Sequence, residues 1–140
     1  MTTKRPAGKR IAGIDGLLRV VRFNEQGLVP AIIQDAKAKQ VLTLCYLNKA
    51  ALRKSLETGT VHVFRRSQNR LMQKGETSGH IQAIKEVSVD CEGKSLLLVV
   101  RQHVAGCHTG HFDCYFRKLR GGRLKETGTK VFDPSTVYTA

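Results

Sequence analysis

From Val29 onward the chain alternates apolar and polar residues in the β manner. Val29–Gln34 and Gln40–Leu47 are apolar, β-branched runs, and Asp35-Ala36-Lys37-Ala38-Lys39 between them predicts a hairpin connection. Asn48 then suits a helix N-cap, with Ala50, Ala51, Leu52, Ser55 and Leu56 following and Gly59 placed to stop the helix. Thr60–Arg66 alternates again, with Val61 and Val63 on one face and His62 and Phe64 on the other. A polar turn at Gln68-Asn69 leads into Arg70–Lys74, and Gly75-Glu76-Thr77-Ser78-Gly79 reads as a loop. His80–Val89, the acidic turn Asp90–Lys94 and the wholly apolar Ser95–Arg101 predict a second antiparallel hairpin. Val104–Asp113 is polar and glycine-bearing, and strand character resumes over Cys114–Leu119. The pattern predicts a β-rich α+β single domain, with mostly antiparallel strands and one main helix.

Length and composition bound this reading. At 140 residues, one domain buries roughly 68–70% of its unfolded surface, enough for a real core. Hydrophobic residues at 41% and charged ones at 25% are ordinary for a globular chain. The longest apolar run, Leu96–Val100, is far short of the roughly 20 residues that span a bilayer. Residues 1–10, with Pro6 and Gly8, read as a mobile basic arm without the apolar stretch of a signal peptide. A cytoplasmic, reducing setting is expected, so Cys45, Cys91, Cys107 and Cys114 are read as thiols or metal ligands.

Charge is the unusual property: 24 Lys and Arg against 11 acids, a formal +13. Nucleic acid or a strongly anionic small molecule are the partners such a charge suggests. Its distribution weakens the first, because residues 1–23 and 117–140 together hold +9 and residues 24–116 only +4.

Four segments could carry chemistry. Cys107-His108-Thr109-Gly110-His111 with Cys114 is the densest group of zinc-type donors, although its spacing fits no finger and buried structural cysteine is the alternative. Cys91 sits in a polar turn, unlike Cys45, whose apolar strand argues for a packing role. Asp90-Cys91-Glu92 offers paired carboxylates for Mg²⁺, or is only a solvated turn. Lys74-Gly75-Glu76-Thr77-Ser78-Gly79 holds an ammonium, two hydroxyls and flexible N–H groups that suit a phosphate. Arg65, Arg66, Ser67 and Arg70 lie just upstream and make the whole hairpin cationic.

These segments resemble the phosphoribosyl-AMP cyclohydrolase family. The likeness runs from about Gly27 to Arg117, over Gln34-Asp35-Ala36, Leu47-Asn48-x-x-Ala51-Leu52, Leu56-Glu57-Thr58-Gly59, Lys74–Gly79, Val89-Asp90-Cys91, and Cys107-His108-Thr109-Gly110 with Cys114. It implies a family domain over 24–119, between a basic lead-in at 1–23 and an extension at 120–140. It implies an intertwined homodimer, with zinc between Cys91 of one chain and Cys107 and Cys114 of the other, and Mg²⁺ at Asp90 and Glu92. The implied reaction is hydrolytic opening of the adenine ring of phosphoribosyl-AMP, the third step of histidine biosynthesis. Substrate-binding candidates are then Arg66, Ser67, Arg70, Lys74, Gly75, Glu76, Thr77, Ser78 and Gly79. His108, and after it His111, would move the proton. With some twenty residues beyond Arg117, the chain is expected to be monofunctional.

There are departures from the family pattern. The acidic turn usually reads Asp-Cys-Asp-x-Asp, and here Lys94 replaces the third carboxylate, which predicts a weakened Mg²⁺ site with the lysine as a tethered charge. Arg65, Gln68 and Met72 stand where serine, a basic residue and tryptophan are common. A catalytically altered relative is one alternative reading. The other is a small basic zinc protein that binds nucleic acid, which the 6% aromatic content and absence of Trp disfavour.

Overall fold

A computed structural model describes residues 8–136, the side chain of Arg66 apart. Along the chain run α1 (Ile14–Val20), β1 (Val29–Asp35), β2 (Val41–Leu47), α2 (Lys49–Thr58), β3 (His62–Arg65), β4 (Arg70–Gln73), β5 (Gln82–Val89), β6 (Leu96–Gln102), β7 (Arg117–Arg120) and β8 (Arg123–Glu126). The Asp35 carboxylate sets the first turn by accepting from the N–H groups of Lys37 (3.1 Å) and Ala38 (2.7 Å), an Asx arrangement that lets β1 and β2 fold back on each other. Asn48 caps α2 as its sequence predicts, its Oδ1 accepting from Ala51 N–H at 2.8 Å. Gly59 ends the helix at φ +74, where an added Cβ would meet the Lys9 backbone at 2.2–2.3 Å.

Four strands form one sheet in the order β2-β1-β6-β5. β6 lies in its interior, antiparallel to β5 and parallel to β1. The parallel pair is not visible in the hairpin pattern, but an interior strand must be apolar on both faces, and Leu96–Val100 is. Leu96, Leu98 and Val100 are buried with Ala31 and Ile33 of β1 and with Leu52 and Leu56 of α2, which forms the core. β3 pairs with β4, and β7 with β8, as separate two-stranded ribbons. The domain is therefore α+β and mainly antiparallel. Among the described residues, no helix is long and apolar enough to cross a membrane.

Three local expectations change. First, a second, short α-helix joins the expected main one among the described residues: α1 has only seven residues, contains Gly16, and starts after Gly13 without a side-chain cap. Such a helix is marginal in isolation and is held by burying Ile14, so its local pattern is weak. Second, residues 1–7 of the expected mobile arm lie outside the described residues, while the rest of it is docked: Gly8 and Lys9 pack on the end of α2, and Ile11 N–H donates to Leu56 O at 2.8 Å. Third, strand structure resumes at Arg117 rather than Cys114, because the backbone up to Phe116 is committed to loop contacts; the extension at 120–140 supplies β8.

Candidate active site

The β5–β6 pair anchors the site. Gln82 and Gln102 face each other across it, Gln82 Nε2 donating to Gln102 Oε1 at 2.7 Å. The amide of Gln102 in turn donates to the carbonyls of His80, His103 and Ala105, each at 3.1 Å. Gln102 thereby ties the end of the glycine loop to the start of the cysteine loop. Val104, between those carbonyls, is held at φ +63, a strained conformation for a β-branched residue that such bonding can sustain.

The cysteine loop then closes on itself. Gly106 N–H donates to Phe112 O (2.8 Å), Cys107 N–H to His111 O (3.3 Å) and Gly110 N–H to Cys107 O (3.2 Å), while Cys114 N–H reaches Leu42 O on β2 (2.7 Å). This folding sets Cys107 and Cys114 on the wall of one cavity. Partial burial, above all, holds the Cys114 thiol above its ordinary range; the Cys107 sulfur adds to this, while Thr43 and Lys74 oppose it. Cys107 Sγ also lies 2.9 Å from Thr109 Oγ1, which is 3.0 Å from His111 Nδ1.

Both sulfurs and the exposed His108 open onto a cavity of about 370 Å³. Its opposite wall is the glycine loop. Gly75 turns at φ +88, where a Cβ would lie 2.5 Å from the His80 carbonyl, and Gly79 N–H closes the loop on Gly75 O at 2.7 Å. Lys74, Gly75, Glu76, Thr77 and Ser78 line the cavity, and Gly79 is buried behind them. Cations on the cavity wall are Arg65 and Lys74.

The remaining sequence candidates fall elsewhere. Arg70 does not line the cavity and pairs with Glu76 across the hairpin. Ser67 is exposed in the turn Arg66–Gln68, and the Arg66 side chain lies outside the described part. His111 turns away from the cavity, buried against the Phe116 ring at 3.8 Å and 4°. Cys91 is exposed at the far end of β6. The six residue steps of β6 alone separate it from Gln102 by roughly 20 Å, so one chain cannot bring the three cysteines together. Accordingly, no three metal-type side chains converge among the described residues. Cys107 and Cys114 therefore fit zinc as a two-thiol half-site.

The acidic turn does not fit Mg²⁺ within one chain. Asp90 Oδ1 accepts from the N–H groups of Glu92 (3.0 Å) and Lys94 (2.9 Å), and Oδ2 accepts from Ser95 Oγ (2.6 Å). The Ser95 hydroxyl, and then these N–H groups, hold the Asp90 carboxyl below its usual range. Glu92 is paired with Lys94 Nζ at 2.9 Å. The carboxylates are spent on the turn and on a lysine. Gly93 locks the turn onto the segment after α1, its carbonyl accepting from Arg22 N–H at 2.7 Å.

Sequence reading did not single out His80, Gln82 or Gly106 as cavity residues. Gln82 carried no local signal: it opens a strand that also holds Lys85, Glu86 and Ser88, and only the cross-strand pairing buries it and gives it Gln102 as partner.

Comparison with known proteins gives a consistent result. The family model described as phosphoribosyl-AMP cyclohydrolase matches residues 43–116. A histidine biosynthesis bifunctional protein of Thermoanaerobacter pseudethanolicus is 50% identical over 127 residues, which cover 91% of this chain and 59% of that protein. The chain thus spans well under two thirds of that relative. Phosphoribosyl-AMP cyclohydrolases of Haloquadratum walsbyi and Methanosarcina barkeri are 48% and 46% identical, covering 84% and 82% of this chain and 87% of each relative.

Proposed function

The chain belongs to the phosphoribosyl-AMP cyclohydrolase family, and on that premise we propose that it hydrolyses the N1–C6 bond of 1-(5-phosphoribosyl)-AMP in histidine biosynthesis. The observation that carries this reading is the meeting, on one cavity of about 370 Å³, of a thiol pair, an exposed imidazole and a cation-bearing glycine loop. Lys74, Arg65 and the N–H groups of Gly75, Thr77 and Ser78 suit the phosphates of such a nucleotide. That leaves the base to reach the sulfur side of the cavity.

Cys107 and Cys114 would hold zinc together with Cys91 of a second copy of the chain. When bound, zinc supplies a water acidic enough to attack near neutral pH. The water oxygen bonds to C6 and loses both its protons: one goes to the exocyclic nitrogen, which becomes the carboxamide NH2, and as the N1–C6 electron pair moves to N1, N1 takes up the other proton. His108, exposed on the cavity wall, delivers that proton. The ring-opened product is the phosphoribosyl-formimino-carboxamide ribotide.

Two observations support a homodimer. The metal half-site needs a donor that its own chain holds about 20 Å away. The sheet also leaves Ile32, Leu44 and Tyr46 at 40–49% exposure on its uncovered face, an apolar surface suited to a partner. Mg²⁺ enters this reading only in displaced form, with Lys94 as the tethered cation beside Glu92. The deciding experiment is turnover of phosphoribosyl-AMP together with metal analysis. About one zinc per chain, lost with activity in Cys107→Ser, is the expected result. Full turnover by zinc-free Cys107→Ser would contradict the proposal.

A further inference from the structure

The β7–β8 ribbon carries cations that the cavity does not use. Residues 117–126 hold Arg117, Lys118, Arg120, Arg123 and Lys125 against Glu126 alone. Side chains alternate along each strand, and the register sets Lys118 opposite Lys125 and Arg120 opposite Arg123. One face of the ribbon is therefore four cations, while Arg117, Leu119, Leu124 and Glu126 occupy the other. All eight strand residues are exposed, and none of the four cations is in an ion pair among the described residues. Lys118, at the foot, borders a groove beside Asp113, whose carboxylate already serves Gln40 Nε2 and the Tyr115 N–H. Like charges set directly opposite one another cost the fold stability, and an anion laid across them reverses that cost.

The tip gives the ribbon reach. Gly121 and Gly122 turn at φ +58 and +76, the positive pair that closes a tight two-residue hairpin. Beyond chain neighbours, nothing lies within 4 Å of where a Cβ on either would stand, so the tip projects into open space. Strands of four residues extend about 13 Å. The major groove of B-DNA, about 12 Å wide and 8.5 Å deep, admits a two-stranded ribbon of this kind. The major groove of duplex RNA is too narrow for it. Single strands are bound by stacking on aromatic rings, and residues 117–126 contain none. A flat anionic bilayer would meet the cations or the leucines, which lie on opposite faces, but not both.

We propose that the β7–β8 ribbon is a docking surface for duplex DNA, entering the major groove tip-first and meeting phosphates with Lys118, Arg120, Arg123 and Lys125. The low aromatic content that argues against base stacking leaves such phosphate contacts untouched. None of the four cations lines the substrate cavity, so this surface is independent of the proposed hydrolysis.

The experiment measures binding of a fluorescent DNA duplex of about 20 base pairs to the full chain, beside an RNA duplex of the same sequence and phosphatidylserine vesicles. Four phosphate contacts predict a log–log salt slope of about −3.6, a loss of about a hundredfold in affinity between about 50 and 200 mM salt. Arg123→Gln with Lys125→Gln removes two contacts, halves the slope to about −1.8 and weakens binding at about 50 mM salt more than tenfold. That double variant relieves repulsion and should melt no lower than wild type, and Lys118→Gln with Arg120→Gln on the other strand should reproduce the loss. Absence of DNA binding at about 50 mM salt would overturn the proposal. So would equal slopes in wild type and both double variants, which assign binding to other cations, or tighter binding to the RNA duplex or the vesicles than to DNA.

Discussion

His108 and His111 lie three residues apart, and the cysteine loop sends them to opposite sides. His108 stands exposed on the cavity wall, whereas His111 is buried against Phe116 and hydrogen-bonded to Thr109. Replacing His108 with Gln should lower kcat by about 10²–10⁴-fold and leave the melting temperature unchanged. His111→Ala should destabilise by about 1–3 kcal/mol, since it leaves Thr109 without its imidazole partner and Phe116 without its stack. Chemical denaturation beside kinetics separates the two effects. The sequence marks both histidines as proton carriers, and their spacing cannot choose between them, because the choice is made by the backbone turn Cys107–His111. Asp90 is the second residue whose role depends on its surroundings. Its carboxyl is held below the usual range, so its charged form contributes stability above the ordinary Asp pKa near 4 and loses it as pH falls through the lowered value. Asp90→Asn should therefore flatten the acid limb of the stability–pH curve, and a limb as steep as in wild type would contradict the assigned role.

Among the elements, α2 was the most legible, because Asn48 and Gly59 specify its ends by local chemistry alone. Asn48→Ala should cost about 1 kcal/mol, measured by urea unfolding. α1 was not legible, since its capping is absent and its stability comes from burial of Ile14. The β5–β6 turn was legible as a turn, but not the bonds within it: the sequence shows the carboxylates and not the N–H groups that Asp90 accepts from or the lysine that pairs with Glu92. Added Mg²⁺ should leave the melting temperature of the zinc-loaded protein unchanged. Lys94→Asp, which frees Glu92 and adds a carboxylate, should gain a Mg²⁺-dependent rise. A rise in wild type of the same size would reject Lys94 as the tethered cation. The β7–β8 ribbon sets Lys118 opposite Lys125 and Arg120 opposite Arg123, all exposed. Such like-charge pairs are unfavourable, so Lys125→Glu should stabilise the ribbon by about 0.2–1 kcal/mol.

For the molecule as a whole, the formal +13 includes two groups of different meaning. Arg117, Lys118, Arg120, Arg123 and Lys125 crowd one exposed ribbon, while the cavity wall holds Arg65 and Lys74, with Arg70 neutralised by Glu76 just outside. The order of strands was only partly readable, because the parallel contact of β1 with β6 joins segments some sixty residues apart and carries no local turn signal. The cysteines were readable as a set but not as a geometry: two meet at the cavity, and the third stands about a sheet's length away. In the proposed function a second copy of the chain completes the site. Cys91→Ser and Cys107→Ser, purified separately, should each be inactive. Subunit exchange between them should then restore about a quarter of wild-type activity, because random pairing across a two-fold interface rebuilds one of the two sites in half of the dimers. An exchanged mixture as inactive as its parents, or a fully active Cys91→Ser alone, would rule out a site shared between two copies.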